Sequence, residues 1–469
     1  MSREGLQRPA LVPQEAWDDA GIEARKCLVE LARRLGMDSS NSSMPPASDR
    51  PGSETVSESG KAAKTKRASG GQKGHPRHER TLVPTDECDD VITVRPTVCD
   101  GCGTSLDDVP DDPSPQRSQV FDLPEMKPVV IEYQQHRLQC PCCQQVTMGK
   151  RPSGVPPGQF GPGVVSTVTM LGGLCRLSQR LSVAVLENLF GLKLSTGVVS
   201  KLQKIGQQSL QPAFEEIAQE VRHSDVAHAD ETSWRQANEK GWLWTAVSKL
   251  ATLFLIRDSR SSAAARELLG EDFAGTVITD RYGSYNWIDD ARRQFCWAHL
   301  LRDFQAMIDI GGEAGEVGTR AKSAGQRLIH KWKQLRSGQI QRTTVDRHFR
   351  SLERELFSVL QDGLSCNHAK TEGVCCELIK KWECLWTFTK VAGVEPTNNT
   401  AERAVRPAVI WRKLSQGTQS ASGSRYVETI LSVLATCKQN GLNAFNFIRS
   451  SIQAHFQNQP TPKLLSTSP

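Results

Sequence analysis

Long apolar runs are missing from this sequence: no window approaches the ~18 apolar residues that read as a membrane span. The opening MSREGLQRPALVPQEAWDD also lacks the apolar stretch of a secretory signal. A soluble chain of the cytoplasm, with no membrane partner, is the expectation. Strong charge of one sign is missing as well. Lys plus Arg number 58 and Asp plus Glu 52, a formal excess of +6, which matters only where it is clustered. No internal repeat is evident. At 469 residues the chain is too long for one simple core, since a domain takes roughly 150 residues. Cysteine, by contrast, is plentiful. The 14 cysteines of a cytosolic chain point to reduced thiols and perhaps to metal, because persistent disulfides belong to oxidising compartments.

Composition and periodicity divide the chain. Residues 1–37 contain a short amphipathic helix, EAWDDAGIEARKCLVELARRL. Residues 38–85 turn to Ser, Pro, Gly and Lys, too poor in large apolar groups to offset the entropy of ordering. This linker is expected to be disordered. Lys61, Lys64, Lys66, Arg67, Lys73, Arg77 and Arg80 make it either a flexible cationic arm or a merely solvated spacer. Residues 86–150 read as short strands, such as VVIEYQQHRLQC, bracketed by cysteine pairs. Residues 151–221 are helical. Within them RLSVAVLENLFGLKLSTGVVSKLQKIGQQ has two apolar-periodic stretches about Gly191, with Ser195 or Thr196 placed to cap the second. A DNA-binding helix-turn-helix and an ordinary helical hairpin both fit.

From 222 to 311 the pattern changes to DVAHADETSW, GWLWTAVSK and ATLFLIRDS, an antiparallel meander, then the helical SSAAARELLG and the strand GTVITD. This β-β-β-α-β order predicts a mixed α/β or α+β domain. Residues 312–391 are helical and cationic, with core stripes at Leu328, Ile329, Trp332 and Leu335 and at Leu352, Leu356, Phe357 and Leu360. Residues 392–456 carry further helices, and 457–469 read as a disordered tail.

CDGCG sets Cys99 and Cys102 in one C-x-x-C turn, and CPCC sets Cys140 and Cys143 in another. Four thiolates from two tight turns suit the tetrahedral preference of one structural Zn²⁺. Coincidental turns and a redox dithiol are the alternatives, the latter disfavoured by the absence of a βαβ context. Cys142 is an extra thiol beside the second pair. Cys375, Cys376 and Cys384 fall on a helix and read as ordinary thiols.

Asp230 follows one apolar run and Asp280 ends another, so each is an acid at a strand end. Either alone reads as a turn or cap residue. In PTNNTAERAVRPAVIWRKLSQG, four cations (Arg403, Arg406, Arg412 and Lys413) surround the single acid Glu402. Asn399 and Glu402 form a credible capping box, with Pro407 expected to kink the helix beyond it. Taken together, however, two strand-end aspartates on neighbouring strands and a glutamate from a packed helix make a carboxylate cluster. Such a cluster suits two Mg²⁺ or Mn²⁺ ions, which roughly 3.5–4 Å apart stabilise the entering and leaving oxygens of a phosphoryl displacement. The surrounding cations are placed to hold a nucleic-acid backbone.

At these residues the chain resembles transposases of the insertion-sequence-sixty-six type, within the DDE group. The resemblance rests on DSSNSSMPPASD, GGQKGHPRH, CDGCG…CPCC, VFDLPEMKPVVIEY, HADETSWR, TDRYGSYN, CWAHLLRDF and TNNTAERAVRPAVIWRKLSQGTQSASG. It implies a multidomain α+β chain: an RNase H-like α/β catalytic core with a helical insertion, preceded by a zinc ribbon and a helix-turn-helix-like DNA-binding region. It further implies Asp230, Asp280 and Glu402 as the acids that bind Mg²⁺, and His299 and Arg302 as contacts to DNA or to the surroundings of the metal site. Cleavage at terminal inverted repeats, strand transfer into target DNA, a homo-oligomeric active complex and small accessory proteins follow from the same likeness. Residues 1–36 depart from it, since relatives carry a longer zipper-like helix there. The competing readings are a zinc-dependent DNA-binding protein or inactive transposase acting as a repressor, and a resolvase-type nuclease.

Overall fold

The computed structural model describes residues 12–14, 17, 21–35, 80–156 and 158–465. The arm expected at 38–85 therefore lies outside the described residues as far as 79. Near the start, Ile22–Leu35 form helix α1, where Arg25 stacks on buried Trp17. The chain divides into two compact units, residues 58–127 and the remainder.

In the first unit, the Gln119 side-chain amide accepts from Val83 N (2.9 Å) and donates to Val83 O (2.8 Å). A hairpin at 97–106 carries the first cysteine pair, with a bridge between Val98 and Ser105. In the second unit, β1 (Arg137–Gln139) and β2 (Val146–Met148) pair antiparallel around the second cysteine pair. Of the short strands expected across Val91–Gln145, Arg137–Gln139 forms at the end of VVIEYQQHRLQC, and the start of that run does not. Val129 and Val130 remain 88% and 86% exposed, and an extended segment without a ladder partner is not a strand however apolar it is.

Helices α2 (Pro162–Gly173), α3 (Gln179–Phe190) and α4 (Thr196–Arg222) follow. Ser178 and Ser195 cap α3 and α4 through their hydroxyls, and Gly191 ends α3 in the left-handed conformation that favours glycine. Pro212 lies within α4 without ending it. All three helices share one hydrophobic cluster with the sheet described next. Glycines permit that approach: a Cβ on Gly206 of α4 would lie 2.2 Å from Thr169 Oγ1, and one on Gly173 would lie 2.3 Å from Ile430 Cγ1. Gly173→Ala is expected to destabilise the fold by about 1–3 kcal/mol, the usual cost of overpacking, read as a lower urea midpoint at unchanged slope.

The sheet has five strands: β3 (Val226–Gln236), β4 (Glu239–Val247), β5 (Thr252–Arg257), β6 (Thr276–Thr279) and β7 (Arg293–Phe295). Their order is β5-β4-β3-β6-β7. The meander β3-β4-β5 is antiparallel, whereas β6 and β7 run parallel to β3. Helix α5 (Ser262–Leu269) makes the crossover from β5 to β6.

After β7 come α6 (Trp297–Ile310), α7 (Gly312–Arg336), α8 (Arg342–Asp362), α9 (Ala369–Lys380) and α10 (Glu383–Lys390). They form a second core, with Leu328, Leu352, Leu356 and Leu360 buried as their spacing predicts. Helices α11 (Asn399–Ser415) and α12 (Ala421–Gln439) return to the sheet, and α13 (Ala444–Phe456) packs on α2 and α4. Of the tail expected to be disordered, residues 457–465 are described and 466–469 lie outside the described residues. Leu464 is buried, and the amides of Leu464 and Leu465 donate to Glu216 of α4.

Candidate active site

β3 and β6 pair in register Val226↔Thr276, Ala227↔Val277 and His228↔Ile278. Carried two residues further, the same offset sets Asp230 beside Asp280. Asp280 ends its strand as expected, but Asp230 does not. It lies within β3, because β4 continues to pair with β3 as far as Gln236 while β6 stops at Thr279. Both acids therefore stand where the parallel half of the sheet opens. Asp280 is held by Tyr282 N (2.9 Å), and the neighbouring Arg281 is fixed by Asp303 of α6 and Glu377 of α9.

The third acid arrives on α11, which is fastened to β3 at both ends. Ala401, Val405, Ala408 and Trp411 form its buried stripe. At its start Asn398 is fully buried, donating to Ala229 O (2.7 Å) and meeting His228 Nδ1 (3.2 Å). Asn398 N also reaches Cys296 Sγ (3.1 Å), while Cys296 N donates to Thr279 O (2.8 Å). The residues directly before Asp230 and Asp280 are thus joined through Cys296 and Asn398 to the helix of Glu402. At the far end Arg412 binds Thr232 Oγ1 (3.1 Å) and Ser233 O (2.5 Å). Thr418 N donates to Arg235 O (2.9 Å). Gly417 has φ +106° and sits where a Cβ would meet Arg235 O at 2.1 Å, so only glycine fits. Asn398→Ala is expected to cost about 1–3 kcal/mol, since it leaves the buried Ala229 carbonyl unpaired; chemical denaturation measures it.

Two sequence expectations change here. No side chain caps α11, so Asn399 and Glu402 do not form the capping box. Glu402 Oε1 instead faces His299 Nδ1 (3.5 Å) and Arg302 (3.8 Å) from α6. Pro407 lies inside α11, which continues through it. Arg412, expected on a nucleic-acid backbone, commits its Nη1 to Thr232 and Ser233 of β3. Arg403, Arg406 and Lys413 are exposed, spaced to share the face opposite the buried stripe.

The charges of Asp280 and, more weakly, Glu402 both reach Asp230, although among the described residues the three carboxylates are not a group of ligand atoms within 4.8 Å of one another. Burial, then the charges of Glu231 and Asp280, and more weakly Glu402, hold the Asp230 carboxyl well above the usual aspartate range. Glu231 was not singled out by the sequence reading, though it stands next to Asp230. It is buried, accepting from Arg260 Nε (2.8 Å) and the Tyr285 hydroxyl (2.8 Å). Burial and the Asp280 charge raise its carboxyl too, against the pull of Arg260. Arg260 lies 3.7 Å from Asp280 and 3.5 Å over the Tyr282 ring. Burial, then Arg302, lowers His299 and favours the neutral imidazole.

The sign of the linkage follows. A raised carboxyl pKa means the folded site binds protons that the unfolded chain has released, so its contribution to stability is whole below about pH 4 and is lost as pH rises through the raised value. At pH 7 without divalent ions, Asp230→Asn is expected to raise the melting temperature, by about 2–4 °C for each kcal/mol of repulsion relieved. The gain shrinks toward pH 4, and melts in Mg²⁺-free buffer across that range check it.

The family model described as the Transposase IS66 family matches residues 174–426, more than half the chain and spanning all three acids. The chain belongs to the IS66 transposase family. A model for the zinc-finger binding domain of transposase IS66 matches residues 96–144, and a family of unknown function matches 14–81. Among curated proteins, the uncharacterized protein y4hP of Sinorhizobium fredii (strain NBRC 101917 / NGR234) is 24% identical over 436 residues, covering 84% of this chain and 77% of the relative. The uncharacterized protein y4qI of the same organism is 26% identical over 302 residues, with 55% and 53% covered, so the chain spans about half of that relative.

The zinc-finger match of this IS66 chain contains both cysteine pairs. Cys99 and Cys102 lie in the unit 58–127, and Cys140 and Cys143 in the remainder. The two turns repeat one pattern. Cys99 N donates to Thr104 O and receives Gly103 N at its own carbonyl; Cys140 N donates to Gln145 O and receives Gln144 N. Gly103 and Gln144 each take positive φ, 71° and 57°. Hydrogen bonds from Thr104, then Cys99, lower the Cys102 thiol, and the backbone N–H groups of Cys143 and Cys142 lower Cys140. No residue from 81 to 150 is buried. Paired C-x-x-C turns of like geometry in a segment without an apolar core fit zinc binding.

Proposed function

We propose that this chain cuts and joins DNA at the ends of a mobile element, with Asp230, Asp280 and Glu402 as the acids of an RNase H-like core. One observation supports the reading: β3 and β6 lie side by side at the offset that pairs Asp230 with Asp280, and α11, fastened to β3, carries Glu402, whose charge adds weakly to those of burial, Glu231 and Asp280 on Asp230. The sheet order, an antiparallel meander continued by two parallel strands, supports the same core.

The donor set fits hard divalent cations. Three carboxylates repel unless neutralised, and Glu402 Oε1 is buried without a hydrogen-bond partner. Bound there, Mg²⁺ or Mn²⁺ would supply Lewis-acid stabilisation of the phosphodiester oxygens. The chain's own groups supply the rest. Arg403, Arg406 and Lys413 attract the DNA backbone to the mouth of the site. Arg260 holds Glu231 and limits the repulsion around Asp280. His299 and Arg302 orient the Glu402 carboxylate. The cysteine turns at Cys99 and Cys102 and at Cys140 and Cys143 supply zinc ligands, and the segment that bears them, with α3 and α4, recognises the terminal inverted repeats. The protein works in the cytoplasm as a homo-oligomer on DNA, with small companion proteins of the same element. No helix among the described residues is long and apolar enough to cross a membrane.

The test is purified full-length protein on labelled element ends, with and without Mg²⁺, companion proteins included. Mg²⁺-dependent nicking and joining is expected. Tight binding with no cleavage would favour a repressor and overturn the proposal.

A further inference from the structure

We propose that Cys296, His299 and Glu402 form a second kind of metal site, one that takes a borderline-soft divalent cation of the zinc class and shares a carboxylate with the acid cluster. Cys296 stands at the N-terminal end of α6, His299 is one turn along that helix, and Glu402 faces them from α11. One ligand atom from each lies within 4.8 Å of the others. His299 Nδ1 and Glu402 Oε1 are already 3.5 Å apart, close to the separation of two ligands on one tetrahedral zinc, so closure of the thiol onto the same ion needs about 1 Å of movement.

Both atoms are buried and neither has a hydrogen-bond partner. At 3.5 Å the two atoms are too far apart for a normal hydrogen bond, and a cation held between them would satisfy both. The sulfur is prepared in the same sense: Asn398 N points its hydrogen at Cys296 Sγ (3.1 Å), the kind of support that orients a metal thiolate. Burial keeps the free thiol protonated, pushed up to about 11, so a cation that binds there has to displace the proton to solvent. Sulfur and nitrogen donors select zinc-class ions, whereas the all-oxygen set of Asp230, Asp280 and Glu402 suits Mg²⁺. Three protein ligands leave a fourth position open.

The functional consequence rests on the proposal above. Oε1 turned to the sulfur and imidazole is withdrawn from an ion at Asp230 and Asp280. Zinc-class ions therefore compete with Mg²⁺ for the third acid and slow cutting.

The experiment measures zinc per chain on full-length protein after loading and dialysis, alongside visible spectra of the Co²⁺-loaded form. Wild type is expected to hold one equivalent more than Cys296→Ser and than His299→Ala, whatever the cysteine turns at 99–102 and 140–143 contribute. Asp230→Asn should keep the wild-type count. Metal-free melts of each variant verify folding. In Mg²⁺-dependent nicking, added Zn²⁺ should inhibit wild type and leave any residual activity of Cys296→Ser unaffected. Equal zinc counts in wild type and both variants overturn this inference even if Asp230→Asn abolishes nicking. Conversely, an Asp230→Asn protein that still nicks overturns the catalytic reading and leaves the zinc count standing.

Discussion

Asp280→Asn and Glu402→Gln each eliminate Mg²⁺-dependent nicking and strand transfer while DNA binding survives. Each change removes one negative charge and keeps the shape of the side chain. In Asp280→Asn the acceptor for Tyr282 N is retained, so the loop after β6 stays in place. A metal ligand is worth several kcal/mol of transition-state stabilisation, so the expected loss is about 10³-fold or more at 1.36 kcal/mol for each factor of ten. On the proposed reading, binding is carried elsewhere, on exposed Arg403, Arg406 and Lys413 and on the cysteine-bearing segment. A gel-shift assay beside a nicking assay separates the two. Loss of both together would mean that the acids hold the fold. Retained nicking in both variants would remove them from the chemistry.

Removing zinc, or changing Cys99 to Ser, unfolds the region around 86–150 and weakens binding to the element ends. Size alone makes the effect large: structural zinc contributes roughly 10–16 kcal/mol in small zinc modules. The segment has nothing to replace it, because no residue from 81 to 150 is buried and its cysteines are all free thiols in the structure. Limited proteolysis is the readout. Cleavage should appear within 86–150 on chelation and disappear when Zn²⁺ is restored, while the sheet and its helices resist throughout. Native protein without zinc, or a chelated chain that stays resistant, would count against it.

The legible parts of the fold share a cause. The meander β3-β4-β5, helix α5 and strand β6 were readable because each carries its burial pattern within a few consecutive residues. β7 was not. It is three residues long, and two of them, Arg293 and Gln294, are polar yet fully buried. Arg293 is satisfied by Thr279, Asn286 and the carbonyls of Asp280 and Tyr282, partners that only the folded chain assembles. Glu231 escaped for the same reason: an acid beside an acid reads as surface until Arg260 and Tyr285 close on it. The contacts of Arg412 could not be read in the same way, because its charge is visible in the sequence whereas its partners Thr232 and Ser233 on β3 lie far away along the chain.

By itself, the sequence determined which chemistry was available. It supplied two cysteine turns with thiolate chemistry, three acids on periodic segments, a cationic helix around the last of them, and helix and strand patterns strong enough to define a mixed α/β body. Those are local properties, decided by side-chain type and by spacing along a few residues. Only the tertiary structure decided that Asp230 and Asp280 share one register offset, that α11 is clamped to β3 at Asn398 and Gly417, and that Cys296 and His299 meet Glu402. Long-range pairing sets those distances, and no local period encodes which strand will lie beside which.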